Sequence, residues 1–444
     1  MSSSRFCRHA LAALAFCVPC SAFPGSAFAA TLADSLTPKA GYTGEFAVLL
    51  DGGEDRGDAY AGQFHVGADL DLARLAGWNG AAVHLNISSR HGDNLATDEI
   101  GNSTSVQEIF GGQGERLANL TLEQKLFDDR LVLEGGRTVA NIHFLGSDLC
   151  SYFQLNAACG NPTFVFRTSS FTWWPVSSWG AHAKAWITPT VYAHLGAYEV
   201  NPHQADNGQH GLTWNTKDST GVILPFALGY KTTPETARLP SMVEFGGWHD
   251  RSDYTDPLAD ANGDPAQSSG LPYAMHDRRS GVYLRFEQQL TRPSVNDDRG
   301  LIVFGNALRQ VDGEAIEDYF IDLGFVQKGT FRNRPLDSVA FVITQQHYSD
   351  EAIDNLRLTR AANGGSGSPH HSQTMMELSY GIQLTPALRI APNLIYAIHP
   401  DQFAEPDRTQ DLPNAFIAGL RVDLSLTPAL KAAGRQFTRS ATKG

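Results

Sequence analysis

Asn414-Ala415-Phe416-Ile417-Ala418-Gly419-Leu420-Arg421-Val422-Asp423-Leu424-Ser425-Leu426 separates into two faces when it is read two residues at a time. Phe416, Ala418, Leu420, Val422, Leu424 and Leu426 fall on one face. Ala415, Gly419, Arg421, Asp423 and Ser425 fall on the other, with Ile417 as the single large apolar residue among them. A strand sends successive side chains to opposite sides, so this segment is a strand with one oily face and one wet face. Similar segments recur from Tyr42 onward, with no amphipathic helices between them. In a soluble sandwich the oily face would meet a core. In a transmembrane barrel it would meet lipid, and the wet face would line a channel.

Sixteen such segments are legible, near residues 42–50, 63–72, 81–90, 117–126, 131–139, 181–187, 190–199, 221–230, 241–249, 280–290, 300–309, 318–327, 338–347, 374–384, 388–398 and 414–426. Most have the roughly 9–11 residues that a tilted strand needs to cross hydrocarbon, against about 5–6 in soluble sheets. The gaps between them alternate. Residues 91–116, 140–180, 200–220, 250–279, 348–373 and 399–413 are long, whereas 127–130, 188–189 and 385–387 are short. A barrel with long loops at one end and tight turns at the other sorts its connections this way, and a sandwich has no reason to. The gap at 310–317 and the turn at 328–337 depart from the pattern. An even strand count also closes the sheet and removes the edges that hydrocarbon forbids. The sequence therefore predicts an all-β protein: a 16-stranded antiparallel transmembrane β-barrel over residues 31–426, with short periplasmic turns and long extracellular loops.

The first 30 residues read as a secretory signal peptide. Arg5 and Arg8 give a basic start, Leu11 to Val18 an apolar core, and Ala27-Phe28-Ala29 a cleavage signal, with cutting after Ala29 or Ala30. Residues 427–444 form a basic tail. The net charge of −13 argues against nucleic acid as a partner. Mean hydropathy is −0.24, as expected when half of every strand faces water. Of five cysteines, Cys7, Cys17 and Cys20 leave with the signal. Cys150 and Cys159 remain, and in an exported chain such a pair reads as one disulfide closing a short loop. A metal site there would need further ligands, and the nearest histidines, His143 and His182, carry no recognisable spacing.

No serine elbow, zinc helix motif, phosphate loop or dinucleotide fingerprint occurs, so neither catalytic residues nor a cofactor is expected. The connection at 140–180 is far longer than ordinary loops, which points to a functional or inward-folded segment. It holds the Cys pair, then Arg167, then Trp173, Trp174 and Trp179. Flat aromatic faces can cover the apolar C–H side of a sugar ring, or can simply pack the loop on the wall. Arg and carboxylate groups hydrogen-bond hydroxyls. Charges in the wet phase include Glu45, Asp69, Arg90, Glu123, Lys125, Glu134, Arg285, Glu287, Arg389, Arg421 and Asp423. Arg137 falls in the oily phase of Leu131 and Leu133. An Arg facing lipid near mid-bilayer costs roughly 2–4 kcal/mol, so a bulge at Gly135-Gly136 is expected to turn it inward.

Several stretches resemble the carbohydrate-selective porins of the OprB family. These are Asn201-Pro202, Gly211-Leu212-Thr213-Trp214-Asn215-Thr216, Gly221-Val222-Ile223-Leu224-Pro225 and Gly246-Gly247-Trp248-His249-Asp250. Arg279-Ser280-Gly281-Val282-Tyr283, Gln288-Gln289-Leu290, Arg334-Pro335-Leu336-Asp337, Gln383-Leu384-Thr385-Pro386 and Ala391-Pro392-Asn393 extend the likeness. The resemblance implies a bacterial outer-membrane channel passing glucose and related monosaccharides passively, with a constriction of Arg and acidic side chains beneath inward loops. Arg90, Glu134, Arg137, Arg167, Trp173 and Trp174 are the positions assigned to that constriction. Such barrels commonly end on an aromatic residue, whereas this chain continues through Arg435, Arg439 and Lys443 to Gly444. A general diffusion porin and an outer-membrane hydrolase are the competing readings. Lipid is the surrounding partner, and either a monomer or a homotrimer fits.

Overall fold

The computed structural model describes residues 26–430 except 159–164, 166 and 295–296. Its strands are β1 (Leu36–Asp51), β2 (Asp58–Asp71), β3 (Ala81–Gly92), β4 (Gly114–Leu126), β5 (Leu131–Thr138), β6 (Ser178–Trp186), β7 (Val191–Val200), β8 (Gly221–Lys231) and β9 (Ser241–Ser252), then β10 (Tyr254–Asp260), β11 (Tyr273–His276), β12 (Arg279–Gln289), β13 (Gly300–Asp312), β14 (Glu317–Lys328), β15 (Ser338–Tyr348), β16 (Ser372–Thr385), β17 (Leu388–Ile398) and β18 (Ala415–Ser425). β10 and β11 form a hairpin of their own in the connection after β9. The other sixteen close one antiparallel barrel, and each of the sixteen predicted segments is one of its strands.

β1 meets β18 to shut the ring, in a register that sets Glu45 opposite Arg421 and Leu49 opposite Ile417. The seam continues past β18, where Leu426 N–H donates to Ala40 O at 2.9 Å and Ala40 N–H to Thr427 Oγ1 at 3.1 Å. The predicted alternation holds: Phe416 and Leu420 are exposed on the outer face while Ala415 and Ile417 are fully buried. Leu224, Phe226, Leu228 and Tyr230 continue the outer band on β8. Moving such a side chain from water to hydrocarbon is worth roughly 1.5–3 kcal/mol, which favours the spanning orientation.

One barrel end carries the tight turns. Phe127, Asp128 and Asp129 turn the chain with three successive positive φ angles of 57, 55 and 63°. Thr188 Oγ1 closes the β6–β7 turn by accepting from Thr190 N–H and Val191 N–H. The opposite end carries the long connections. Four α-helices are described: α1 (Ser26–Ser35), α2 (Leu72–Ala76), α3 (Ala266–Ser269) and α4 (Asp350–Ala362). The expectation that no amphipathic helix lies between the strands is thereby corrected within the long gap 348–373. Ser349 caps α4 by accepting from Ala352 N–H, Asp350 and Glu351 occupy its first turn, and Ile353 and Leu356 are buried. Acidic residues at a helix start and an apolar pair three apart are sufficient reason for one short helix.

Residues 1–25 of the expected signal segment and 431–444 of the tail lie outside the described residues. Cys150 sits half-buried in a short turn, and Cys159, its predicted disulfide partner, also lies outside them.

Candidate functional site

The connection between β5 and β6 folds into the barrel and seats there on apolar contacts. Phe144, Leu149, Phe153, Leu155 and Phe171 join one buried cluster with wall residues Ala47, Ile223, Phe304, Phe320 and Ile417. Ile417, the residue that broke the wet face of the opening segment, is thus part of the seat for this plug. The lumen also grips the plug through its backbone. Gln154 N–H and Leu155 N–H donate to the Glu377 carboxylate at 2.9 and 2.7 Å. Arg421 Nη1 donates to Phe153 O at 3.0 Å, Arg389 Nη1 to Ser151 O at 2.7 Å and Arg285 Nη1 to Gly146 O at 2.8 Å. Charged partners make these hydrogen bonds stronger than neutral ones.

Two cavities among the described residues border the plug. The first, of about 350 Å³, lies toward the long loops and is lined by Arg90, Glu108, Asn141, Arg167, Trp173 and Trp174 among others. Arg90 Nε and Trp174 Nε1 both donate to Gln63 Oε1, at 2.6 and 3.3 Å, so one wall amide orients the cation and the ring together. Arg167 is held against Glu317 at 3.2 Å and Asp401 at 3.7 Å, with Phe403 beneath it. Burial alone would push its guanidinium down, but Asp401 and Glu317 hold it above the ordinary range and it stays charged.

The second cavity, of about 520 Å³, lies among the tight turns and is lined by Ser151, Tyr152, Lys328, Arg389 and Asp423 among others. Tyr152 there faces two cations, Lys328 at 5.4 Å and Arg389 at 4.9 Å from its ring centre. A ladder of alternating charge joins the cavities along the closing seam. Arg389 lies 3.5 Å from Asp423, Asp423 3.1 Å from Arg421, and Arg421 2.7 Å from Glu45 and 3.9 Å from Glu108. Glu108 returns to the first cavity. Mixed charges at such spacing present hydroxyl-bonding groups in series while no single point holds a solute tightly.

Of the six positions assigned from sequence, Arg90, Arg167, Trp173 and Trp174 line the first cavity together. Glu134 lies on the lumen wall elsewhere, 3.3 Å from His182 and accepting from Thr121 Oγ1. Arg137 is not brought to them. No register shift occurs between β5 and either neighbour, so the expected bulge is absent and Arg137 keeps the phase of Leu133, opposite Trp179. It escapes lipid differently. Residues 201–220 fold over the rim where the chain leaves β5, and Arg137 donates to Thr213 O, Ser177 O and Gln204 Oε1 there while its guanidinium lies over Trp214. A loop covering the Arg avoids the cost that the bulge was expected to avoid. Glu45, Arg389, Arg421 and Asp423 were legible as wet-phase charges but had no mark separating them from other such residues. Glu108 lies in an aperiodic loop and carried no signal.

A closed sixteen-stranded wall, an inward plug and a charge ladder between the two cavities beside it are the marks of an outer-membrane porin. Residues 55–426 match the carbohydrate-selective porin family OprB, and the chain belongs to that family. It is 30% identical to Porin B of Pseudomonas aeruginosa over 399 residues, covering 86% of this chain and 85% of that one. It is 27% identical to a putative porin, QuiX, of Acinetobacter baylyi, covering 85% and 86%. The structure of Pseudomonas putida OprB at high pH superposes with a TM-score of 0.80 at 30% identity, covering 88% of this chain and 94% of that one. The resemblance read from the motifs is borne out. The protein is a carbohydrate porin of the bacterial outer membrane, a channel and not an enzyme.

Proposed function

We propose that this porin passes glucose and related monosaccharides passively, and that it selects them along the seam. The supporting observation is the ladder Arg389–Asp423–Arg421–Glu108, which spans the distance between the two cavities. A sugar entering the first cavity meets Trp173 and Trp174 as apolar faces and Arg90 and Glu108 as hydroxyl partners. At about 350 Å³ this space is near the lower end of small-ligand pockets, roughly 300–1,000 Å³. The solute then trades hydroxyl contacts along the ladder and leaves past Tyr152. Each contact must stay weak, because a solute that binds tightly does not leave. The same reading includes a leader cut after Ala29 or Ala30, a Cys150–Cys159 disulfide, a mature barrel ending near residue 426, and small ions carried with the water.

Liposomes bearing the protein are expected to swell faster in glucose than in a disaccharide of equal osmolarity. Trp173→Ala is expected to narrow that ratio, and Arg421→Gln to lower the glucose rate itself. Equal rates for all small hydrophilic solutes in the unaltered protein would replace this reading with general diffusion.

A further inference from the structure

One group of lumen side chains lines neither of the two cavities. Glu134 on β5 and His182 on β6 are direct cross-strand partners, and His182 Nε2 lies 3.3 Å from Glu134 Oε2. His143 comes from the start of the plug, just after the turn at Ala140–Ile142, and its ring centre lies 4.0 Å from that of His182. One donor atom from each of the three falls within 4.8 Å of the others. All three residues are half-buried, facing the lumen wall.

Each of these side chains also has its second polar atom held. Thr121 Oγ1 donates to Glu134 Oε1 at 2.5 Å. His194 Nε2 is bonded to His182 Nδ1 at 3.0 Å. Thr138 Oγ1 is bonded to His143 Nε2 at 3.1 Å. The atoms this leaves for a common ligand are Glu134 Oε2 and His182 Nε2, 3.3 Å apart, and His143 Nδ1. Orienting partners on the far side of each ligand are what metal sites characteristically show. Two ligands at about 2.0–2.1 Å from a tetrahedral zinc ion stand roughly 3.3–3.4 Å apart, which is the separation found between His182 and Glu134. The surrounding packing fixes the rings further. Phe144 stacks on His194 with centres 4.0 Å apart, and Tyr198 flanks His143 at 6.4 Å. Gly180 and Gly196 leave the room for this: a Cβ at either would fall 2.3 Å or 2.7 Å from the Tyr198 ring.

We propose that Glu134, His143 and His182 form a divalent transition-metal site of the zinc type, which ties the base of the plug to the barrel wall. Two imidazoles and one carboxylate suit zinc and its neighbours and do not suit calcium or magnesium, which take all-oxygen shells. Three protein ligands leave the fourth position to water from the lumen, which is also the entry path. Bound metal would couple plug position to wall position, since its ligands come from both. The proposal does not depend on which solute the channel carries. It also departs from the sequence reading, which expected no metal because these residues share no spacing.

The test uses the folded full-length protein in detergent, stripped with a chelator and dialysed. Titration with zinc chloride is expected to show one ion bound per chain, and cobalt chloride to give the intense visible bands of a four-coordinate site. His143→Ala and Glu134→Gln are expected to abolish both, and Thr138→Val to weaken zinc binding roughly 10–100-fold through the lost orienting contact. His276→Ala, on the outer hairpin, is expected to change nothing. Folding of each variant is read from its shift in gel mobility on heating. Should a variant fail to fold, the cobalt spectrum of the unaltered protein still decides. Weak bands of fully hydrated cobalt, no zinc uptake, or uptake unaffected by His143→Ala would each overturn the proposal.

Discussion

Residues 139–177 and 201–220 leave the same end of the barrel, on either side of β6 and β7, and take opposite courses. The first enters the lumen; the second folds over the rim. The first brings Phe144, Leu149, Phe153, Leu155 and Phe171, and the wall offers it an apolar seat. The second begins Asn201-Pro202-His203-Gln204-Ala205-Asp206-Asn207 and has little to bury. It is instead held by two arginines. Arg116 donates to the carbonyls of Gln204, Ala205 and Asp206, and Arg137 to Thr213 O and Gln204 Oε1. The loop also repairs the wall, since Leu117 N–H, left by the departure of β5, donates to His210 O at 2.8 Å. Where a loop goes is thus set by what it can bury and by which wall groups still need partners.

The sharpest way to break this contrast is to remove the apolar seat. Phe153 is fully buried, with its ring 5.8 Å from that of Phe304. Phe153→Ala is expected to cost about 3–5 kcal/mol of plug stability, the usual range for deleting a buried aromatic. Single-channel recording should then show a larger conductance, and swelling assays a lost preference for monosaccharide over disaccharide. An unchanged conductance would mean that backbone capture by Glu377, Arg389 and Arg421 suffices without the seat.

Arg137→Ala probes the other loop. Its guanidinium is fully buried and donates to three acceptors, so the loss is expected to be about 1.5–3 kcal/mol, the worth of a charge-assisted hydrogen bond. Hydrogen exchange should rise across residues 201–220 while the glucose swelling rate stays as before. A fall in that rate as large as that of Arg421→Gln would show that Arg137 acts on the lumen after all, and the contrast between the loops would fail.

The barrel was legible because a strand in lipid obeys a period of two for about ten residues at a time, and that signal repeats. The site was legible only in part. Trp173, Trp174 and Arg167 stood out through an unusual loop, and Arg90 through its phase. The seat of the plug was written as exceptions to the alternation, such as Ile417, and an exception reads as noise until something is seen to cover it. Arg137 shows the reverse error. Its phase was read correctly, but the remedy was sought in its own strand, whereas the cover comes from a loop over sixty residues later. Glu134, His143 and His182 could not be joined by spacing, because one comes from a loop that re-enters the barrel.

A third long connection sharpens the comparison with the smallest expected effect. α4 buries Ile353 and Leu356 with Tyr348 against Phe403, and Arg360 adds a charged clasp between the helix and residues 399–414. Arg360 Nη2 donates to Gln402 Oε1 and to Asp411 Oδ1, both at 2.7 Å, and His370 stands 3.6 Å from the same carboxylate. Burial would raise the Asp411 carboxyl, but the Arg360 and Gln402 hydrogen bonds together with the Arg360 charge hold it below its ordinary value. A carboxyl depressed in the folded state adds stability above its unfolded value, near 3.9, and that stability is lost as pH falls through the folded value. The protection of α4 against hydrogen exchange, taken relative to the intrinsic rate at each pH, should therefore be the same at pH 7 and pH 5 and should fall only below about pH 4. Arg360→Met is expected to lower that protection at every pH and to flatten the dependence. The plug, held by Glu377 as well as by an apolar seat that does not titrate, should lose less protection than α4 through the same acidification. If plug and α4 loosened together, the distinction between a buried seat and a charged clasp would not describe this barrel.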